Sequence, residues 1–364
     1  MTLPDPRLQP LEAPKNPLIR QAVAVTTEPN AALSASLYQS LTNQMADALL
    51  MGDNQSLAVA LQLAPSQSAY KALWHALNDI LAQPSTQGFA QIFALPVVMV
   101  VGAKGEAQLS AELGDTAGLV SMLQKQGLIA EDAQCAVLPY LVHPESLASL
   151  SLSALYQLSQ RATSVDQGLP AKLLPAPIEF KDEGVFVRYL VGVAMQPANT
   201  EPVIKLGGSM GEWGMAVMKW LGDTLKTEGV TLFPIPLVPN VVPEALRQGA
   251  AMRLEVNLQV VASNTIRRLR EKNLPVVAIA SAHEGGEIRF TFSTPGETKN
   301  MAAFAWPLAP LDALPRIEEN FQMLMKECQV EDVRLIAGLQ PNEVNDIPFF
   351  VTACDIEAQS PAQH

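Results

Sequence analysis

Two long apolar segments constrain the fold of this chain most. Residues 89–102, FAQIFALPVVMVVG, and residues 185–195, VFVRYLVGVAM, are rich in valine, and together they contain one charged side chain. Uninterrupted apolar runs of this length are typical of strands that are buried on both faces. Such strands need helices on both sides of their sheet, so the sequence predicts an α/β fold.

The order of elements that follows the first apolar run recurs after the second. Each run is followed by a predicted helix, a shorter strand and a longer helix. Gly127 and Gly229 end the first helix of each series, and the tetrapeptides PESL and PEAL begin at Pro144 and Pro243. We therefore predict two tandem related α/β units with a period of about 100 residues and mixed sheets.

The remaining segments have different patterns. Leucine and methionine recur every four residues over 33–49, and residues 70–81 place apolar side chains at i, i+3, i+4 and i+7, which predicts amphipathic helices. Six prolines among the first 30 residues favour an extended arm, because proline fixes φ and removes a backbone donor. The predicted domains are a Pro-rich extended arm at 1–30, a helical region at 31–84, α/β units at 85–182 and 183–296, a C-terminal α/β extension at 297–356 and a disordered tail at 357–364.

The charge content favours protein partners over nucleic acid. Charged residues make up 16% of the 364 residues, and the net charge is −12, whereas soluble domains carry about 25% charged residues. A surface with few charges favours a buried interface, either in a homo-oligomer or with another protein. The one dense basic cluster, RRLREK at 267–272, is interrupted by an acid and favours a solvated helix face over a phosphate-binding track.

Cysteine usage and hydropathy indicate a cytoplasmic protein without a membrane partner. The three cysteines are far apart and form no CxxC pair, the N-terminus lacks a basic segment followed by an apolar run, and the apolar runs are too short to cross a bilayer. His75 and His143 have no spaced acidic or cysteine partners, and the chain has four histidines in all, so no metal site is predicted; the cofactor is unknown.

The motif Gly207-x-Ser209-x-Gly211 allows three interpretations. It matches a nucleophile elbow, in which the serine lies on a turn between a strand and a helix. An elbow needs an acid and a histidine later in the chain, and His283 is the one later histidine outside the C-terminal tail. Ser209 and His283 are therefore the catalytic candidates, although His283 with Glu284 is predicted to lie in a solvated hairpin turn.

The other two interpretations concern the helix that follows the motif. Ser209 and Glu212 form the S-x-x-E spacing of a capping box, in which the serine hydroxyl accepts a hydrogen bond from an early helical N–H. A glycine-rich turn at a helix N-terminus also exposes backbone donors to an anion, although no phosphate-loop motif is present. The residues of such a ligand site are Lys205, Gly207, Gly208, Ser209 and Gly211.

The sequence as a whole favours binding over catalysis. We expect a cytoplasmic binding or assembly protein that self-associates and has no evident catalytic constellation. The alternative is an enzyme, either a serine hydrolase or an enzyme of an anionic or phosphate-bearing ligand, with its site at the Gly207–Gly211 turn.

Overall fold

The computed structural model of this chain describes residues 16–82, 89–196, 210–283, 286–337, 343–344 and 347–349. Helices and strands are mixed along the chain, and the strands form several sheets, which confirms the α/β character of the prediction. The chain divides into two compact units, with the boundary between Arg253 and Leu254. None of the described helices is long and apolar enough to cross a membrane.

Four helices begin the N-terminal unit, and they pack around one apolar core that includes Ile19, Leu41, Met45, Leu73 and Leu77. Asparagine or aspartate side chains cap the first three helices. The helices are α1 (Pro17–Thr27), α2 (Ala31–Met51), α3 (Asn54–Gln62) and α4 (Gln67–Ala82).

The prediction of an extended arm over residues 1–30 is wrong for residues 17–27, which form α1. Pro17 occupies the start of the helix, where the missing N–H is not needed. The side chain of Asn16 accepts hydrogen bonds from the backbone N–H groups of Leu18 and Ile19, at 2.9 and 3.4 Å. A count of prolines over 30 residues does not show that residues 18–28 contain no proline.

The rest of the N-terminal unit contains one main sheet, a two-stranded sheet and covering helices. Its elements are β1 (Phe89–Ala103), β2 (Ala107–Leu109), α5 (Thr116–Lys125), β3 (Gln134–Val137), α6 (Pro144–Ala148), α7 (Leu152–Arg161), α8 (Val165–Gly168), β4 (Ile178–Phe180), β5 (Gly184–Gln196), α9 (Met210–Thr224), β6 (Val230–Pro236), β7 (Asn240–Val241) and α10 (Val242–Glu271), which continues past the unit boundary.

The main sheet has the strand order β3-β5-β1-β6, and β7 pairs with β1 beyond β6. Every one of these pairings is antiparallel, so the prediction of mixed sheets is wrong for this unit. Helices α5 and α9 supply Leu119, Trp213 and Val217 to the core on one face, and α8 and α10 approach Val193 and Tyr189 on the other. Burial on both faces makes the strands uniformly apolar, and that pattern does not distinguish antiparallel from parallel pairing.

The C-terminal unit is built on a mixed sheet with the strand order β10-β9-β8-β11, in which β11 runs parallel to β8. The hairpin predicted over 276–293 is present as β8 and β9. Phe290, Phe292 and Phe321 lie in the core between this sheet and its helices. The elements are β8 (Val277–His283), β9 (Glu287–Thr294), β10 (Glu297–Pro307), α11 (Leu314–Glu327), β11 (Asp332–Ala337), β12 (Glu343–Val344) and β13 (Ile347–Pro348).

The boundary between the compact units differs from the predicted domain limits at 182/183 and 296/297. Strands from 85–182 and from 183–296 share the main sheet, and α10 continues through the division at Arg253. Strand pairing joins segments that are distant in sequence, and local periodicity does not reveal it. The limits at 182/183 and 296/297 therefore remain predictions, and they concern where each of the two related α/β units begins and ends.

Candidate functional site

The Gly207–Gly211 turn is only partly within the described residues. Lys205, Gly207, Gly208 and Ser209 lie outside them, whereas Gly211 is the second residue of α9. Helix α9 begins at Met210, the residue that follows Ser209 in the sequence. A hydrogen bond to the Ser209 hydroxyl, a role of Ser209 as a nucleophile and an anion site at this turn all remain predictions.

An observed cap stands at the corresponding place in the first predicted unit. Asp115 directly precedes α5, and its Oδ1 accepts a hydrogen bond from the backbone N–H of Gly118 at 2.8 Å. Both α5 and α9 are thus preceded by a residue type that caps helices well. This likeness favours the capping interpretation of Ser209.

The prediction that His283 lies in a solvated turn is wrong. His283 is the last residue of β8, and only 3% of its surface is exposed. Its Nε2 lies 3.1 Å from the hydroxyl of Ser281 on the same strand. Alternate residues of a strand share one face, and the face of β8 that carries Ser281 and His283 is buried. The sequence HEGG at 283–286 predicts a turn but gives no information about burial of the strand before it.

Polar side chains continue across this face into β9. Ser281 is paired across the strands with Arg289 and His283 with Glu287, and Arg289 forms an ion pair with Glu287. The Nδ1 of His283 has no hydrogen-bond partner among the described residues. Burial, and secondarily the charge of Arg289, lower the pKa of His283 to about 4.

These contacts do not favour a catalytic role for the Ser281–His283 pair. An effective general base has a pKa near the working pH, and His283 at a pKa of about 4 is a weak base. A catalytic histidine is also oriented by an acid at its second nitrogen, whereas Glu287 is held by Arg289. Ser281 is itself fully buried, so the pair is best described as internal polar packing.

Acidification is expected to destabilise the protein through His283. The unfolded chain has a histidine pKa of about 6.5, so between pH 6.5 and 4 the unfolded state binds more protons and stability falls as the pH falls. The loss is about 2 kcal/mol between pH 6.5 and pH 5. Urea unfolding of His283→Gln across this range should show a shallower pH dependence than the unmodified protein. His75→Gln, a change at an exposed histidine of α4, is the matched control, and identical slopes for all three proteins would refute this account.

The helices α1–α4 present a different candidate, a surface with few charges. Residues 16–82 comprise 67 positions and contain six charged side chains, which are Arg20, Glu28, Asp47, Asp53, Lys71 and Asp79. An average composition would give about 17. Half of the eight exposed large hydrophobic side chains of the described residues also belong here, namely Leu33, Leu50, Met51 and Leu63. A count of charges over successive segments would have found this surface from the sequence.

No set of three or more histidine, cysteine, aspartate or glutamate side chains suited to a metal ion occurs within the described parts of the chain. No protein-family model, curated protein or solved structure matches this chain.

Proposed function

We propose that this chain is a cytoplasmic binding or assembly protein that self-associates through its N-terminal helices. The observation that carries the proposal is the combination of few charges and exposed apolar side chains on α2 and directly after α3. Copies with a net charge of −12 repel one another, and residues 16–82, with two basic and four acidic side chains, contribute little of that charge. The free thiols of Cys135 and Cys328 suit a reducing compartment.

The contact surface centres on the corner between α2 and α3. Leu50 is 61% exposed and Met51 is 83% exposed, and Gly52 ends the helix in a left-handed conformation. The Nδ2 of Asn54 donates to the hydroxyl of Ser153 at 2.7 Å, and the backbone N–H of Ser153 donates back to its Oδ1 at 3.0 Å. These bonds fix the corner against α7 and leave the two apolar side chains in solvent. A surface that is held in place before binding loses less entropy when it binds.

A second network fixes the same bundle to α10. The Nε1 of Trp74 donates to Glu244 at 2.7 Å, and Arg247 binds both oxygens of that carboxylate. Although burial raises the pKa of Glu244, the bonds from Arg247 and Trp74 lower it further than burial raises it. The carboxylate is therefore charged at neutral pH, and α4 is anchored to the body of its unit.

The proposal predicts a change in mass when the corner is made polar. Burying a leucine or methionine side chain contributes about 1.5–3 kcal/mol, and a two-fold interface would bury both side chains of each copy. The double variant Leu50→Ser, Met51→Ser should therefore elute as a 39.1 kDa monomer, whereas the unmodified protein shows a larger mass in light scattering. Leu174→Ser, which changes a leucine that is 70% exposed outside the helices, should retain the larger mass. An unmodified protein that stays monomeric at all concentrations would refute the proposal.

We also infer that residues 85–296 contain a duplication, and the order of the main sheet supports it. The strands β1 and β5 form an antiparallel centre, β3 pairs with β5, and β6 pairs with β1. A 180° rotation about an axis between β1 and β5 exchanges these two strands and also exchanges β3 with β6. This symmetry is expected for two repeats in which the second strand of each pairs with the first strand of the other.

Two further details fit the same rotation. The pairing of β7 with β1 joins Val241 to Phe93, and its counterpart is an antiparallel bridge between Val142 and Tyr189. Gly127 and Gly229, which follow the matching helices α5 and α9, have φ angles of 68° and 75°. Val142 and Val241 are 99 positions apart, in agreement with a period of about 100 residues.

A further inference from the structure

A groove on the N-terminal unit lies outside the proposed contact surface. It has a volume of about 370 Å³, within the range of about 300–1,000 Å³ for small-molecule sites. Its walls come from three segments, and the residues that line it are Gln108, Ser110, Ala111, Glu112, Pro175, Pro177 and Thr227.

The walls of the groove are held in place by buried neighbours. Leu109 of β2 pairs with Ile178 of β4, and both are almost fully buried. Arg188 is 8% exposed, and its side chain donates to the carbonyl oxygens of Ala176 at 2.8 Å and Pro177 at 3.1 Å. The groove is therefore bounded by fixed backbone, and two prolines restrict it further.

The residues that line the groove are one acidic residue, Glu112, and six neutral residues. Glu112 is the one charged residue that lines the groove, and none of the described lysines and arginines forms an ion pair with it. The hydroxyl of Ser110 accepts from the backbone N–H of Glu112 at 3.1 Å, which fixes the backbone at the carboxylate. Gln108 and Thr227 add polar groups, and the proline rings add apolar surface.

We propose that this groove binds an alkylammonium group, with its cationic end at Glu112 and its aliphatic stem along Pro175 and Pro177. A single carboxylate suits one ammonium group of an organic cation, whereas calcium takes six to eight oxygen ligands. The prolines suit a methylene chain, as aliphatic stems of lysine pack on apolar surfaces. Polyamines and lysine side chains share this chemistry.

The test is isothermal titration of the full chain with spermidine and, separately, with Nα-acetyl-lysine methylamide. Saturable one-site binding of either compound is expected, and Glu112→Gln should weaken it about fivefold, as for the loss of one exposed ion pair. Glu131→Gln removes an exposed carboxylate outside the groove and should leave the affinity within about twofold. Binding of spermidine alone would identify a free polyamine as the ligand, and binding of the lysine compound would identify a lysine side chain.

Two outcomes would overturn the proposal. Equal weakening in Glu112→Gln and Glu131→Gln would show diffuse attraction of cations to a chain of net charge −12. The absence of binding of either compound at about 10 mM would show that the groove is not an ammonium site, because this concentration is well above the dissociation constant of a specific site.

Discussion

Replacing Arg188 with methionine is expected to lower the free energy of unfolding by about 3 kcal/mol, because three carbonyl oxygens, one of them on a buried residue, lose their donor. The guanidinium of Arg188 donates to the carbonyl oxygens of Val187 at 2.9 Å, Ala176 at 2.8 Å and Pro177 at 3.1 Å. Methionine fills the space of the aliphatic stem but donates nothing. A buried acceptor that loses its partner costs about 1–3 kcal/mol.

The position of Arg188 on β5 explains why this loss is not easily repaired. Beyond the end of β3, the outward carbonyl groups of β5 accept one after another from loop N–H groups or from arginine side chains. Those of Val191 and Tyr189 accept from the backbone N–H groups of Leu138 and Val142. Those of Val187 and Val185 accept from Arg188 and Arg253. The arginines thus satisfy a sheet edge where no strand is available.

Urea unfolding of three variants measures the contribution of Arg188. Arg253→Met is the matched control, because Arg253 is exposed and makes a single bond of 3.3 Å to this edge, so its loss should cost less than about 1 kcal/mol. Arg188→Lys should give an intermediate value, because lysine keeps the charge but lacks the planar fork. A cost below about 1 kcal/mol for Arg188→Met would contradict this account of the edge.

Gly192→Ala is expected to cost about 3 kcal/mol, since overpacking of a tight core typically costs about 1–3 kcal/mol. A Cβ atom on Gly192 would lie 2.5 Å from Cζ of Phe93 and 2.8 Å from the backbone oxygen of Ala136. Phe93 lies on β1 and Ala136 on β3, the two strands that flank β5. The backbone oxygen cannot rotate away as a side chain can, so the sheet itself must shift.

The control for this variant is another glycine that has space around it. A Cβ atom on Gly214 of α9 would meet nothing within 4 Å, and alanine there is expected to stabilise the helix by about 0.5–1 kcal/mol. Thermal unfolding should therefore move in opposite directions for Gly192→Ala and Gly214→Ala. Equal shifts, or a Gly192→Ala protein as stable as the parent, would mean that β1, β3 and β5 are not packed as closely as described.

Elements with strong local patterns were predictable from the sequence. The apolar runs at 89–102 and 185–195 contain most of β1 and β5, and Gly286 follows the end of β8 where the hairpin turns. The strand pairing was not predictable. Nothing in the sequence indicates that β3, which follows β1 in the chain, pairs with β5, or that β6, which follows β5, pairs with β1. The role of Arg188 depends on the same pairing and was equally hidden.

The candidate sites differ in how far the sequence could indicate them. The charge content of residues 16–82 can be counted directly, and the S-x-x-E spacing predicts a helix that begins at Met210, where α9 begins. The burial of His283 depends on which face of β8 is covered, and a single histidine carries no such signal. The groove at Glu112 joins three segments that are at least 50 residues apart, so only the fold brings them together.

Oxidation of exposed methionines tests the proposed contact surface most directly. Peroxide converts accessible methionine to the sulfoxide, and Met51, Met215 and Met323 are 83%, 61% and 54% exposed in a single copy. If copies associate through the corner of α2 and α3, oxidation of Met51 should slow as the protein concentration rises, while Met215 and Met323 react at unchanged rates. Mass spectrometry of digests resolves the three sites. A rate for Met51 that does not change with concentration, or equal slowing at all three sites, would contradict assembly through these helices.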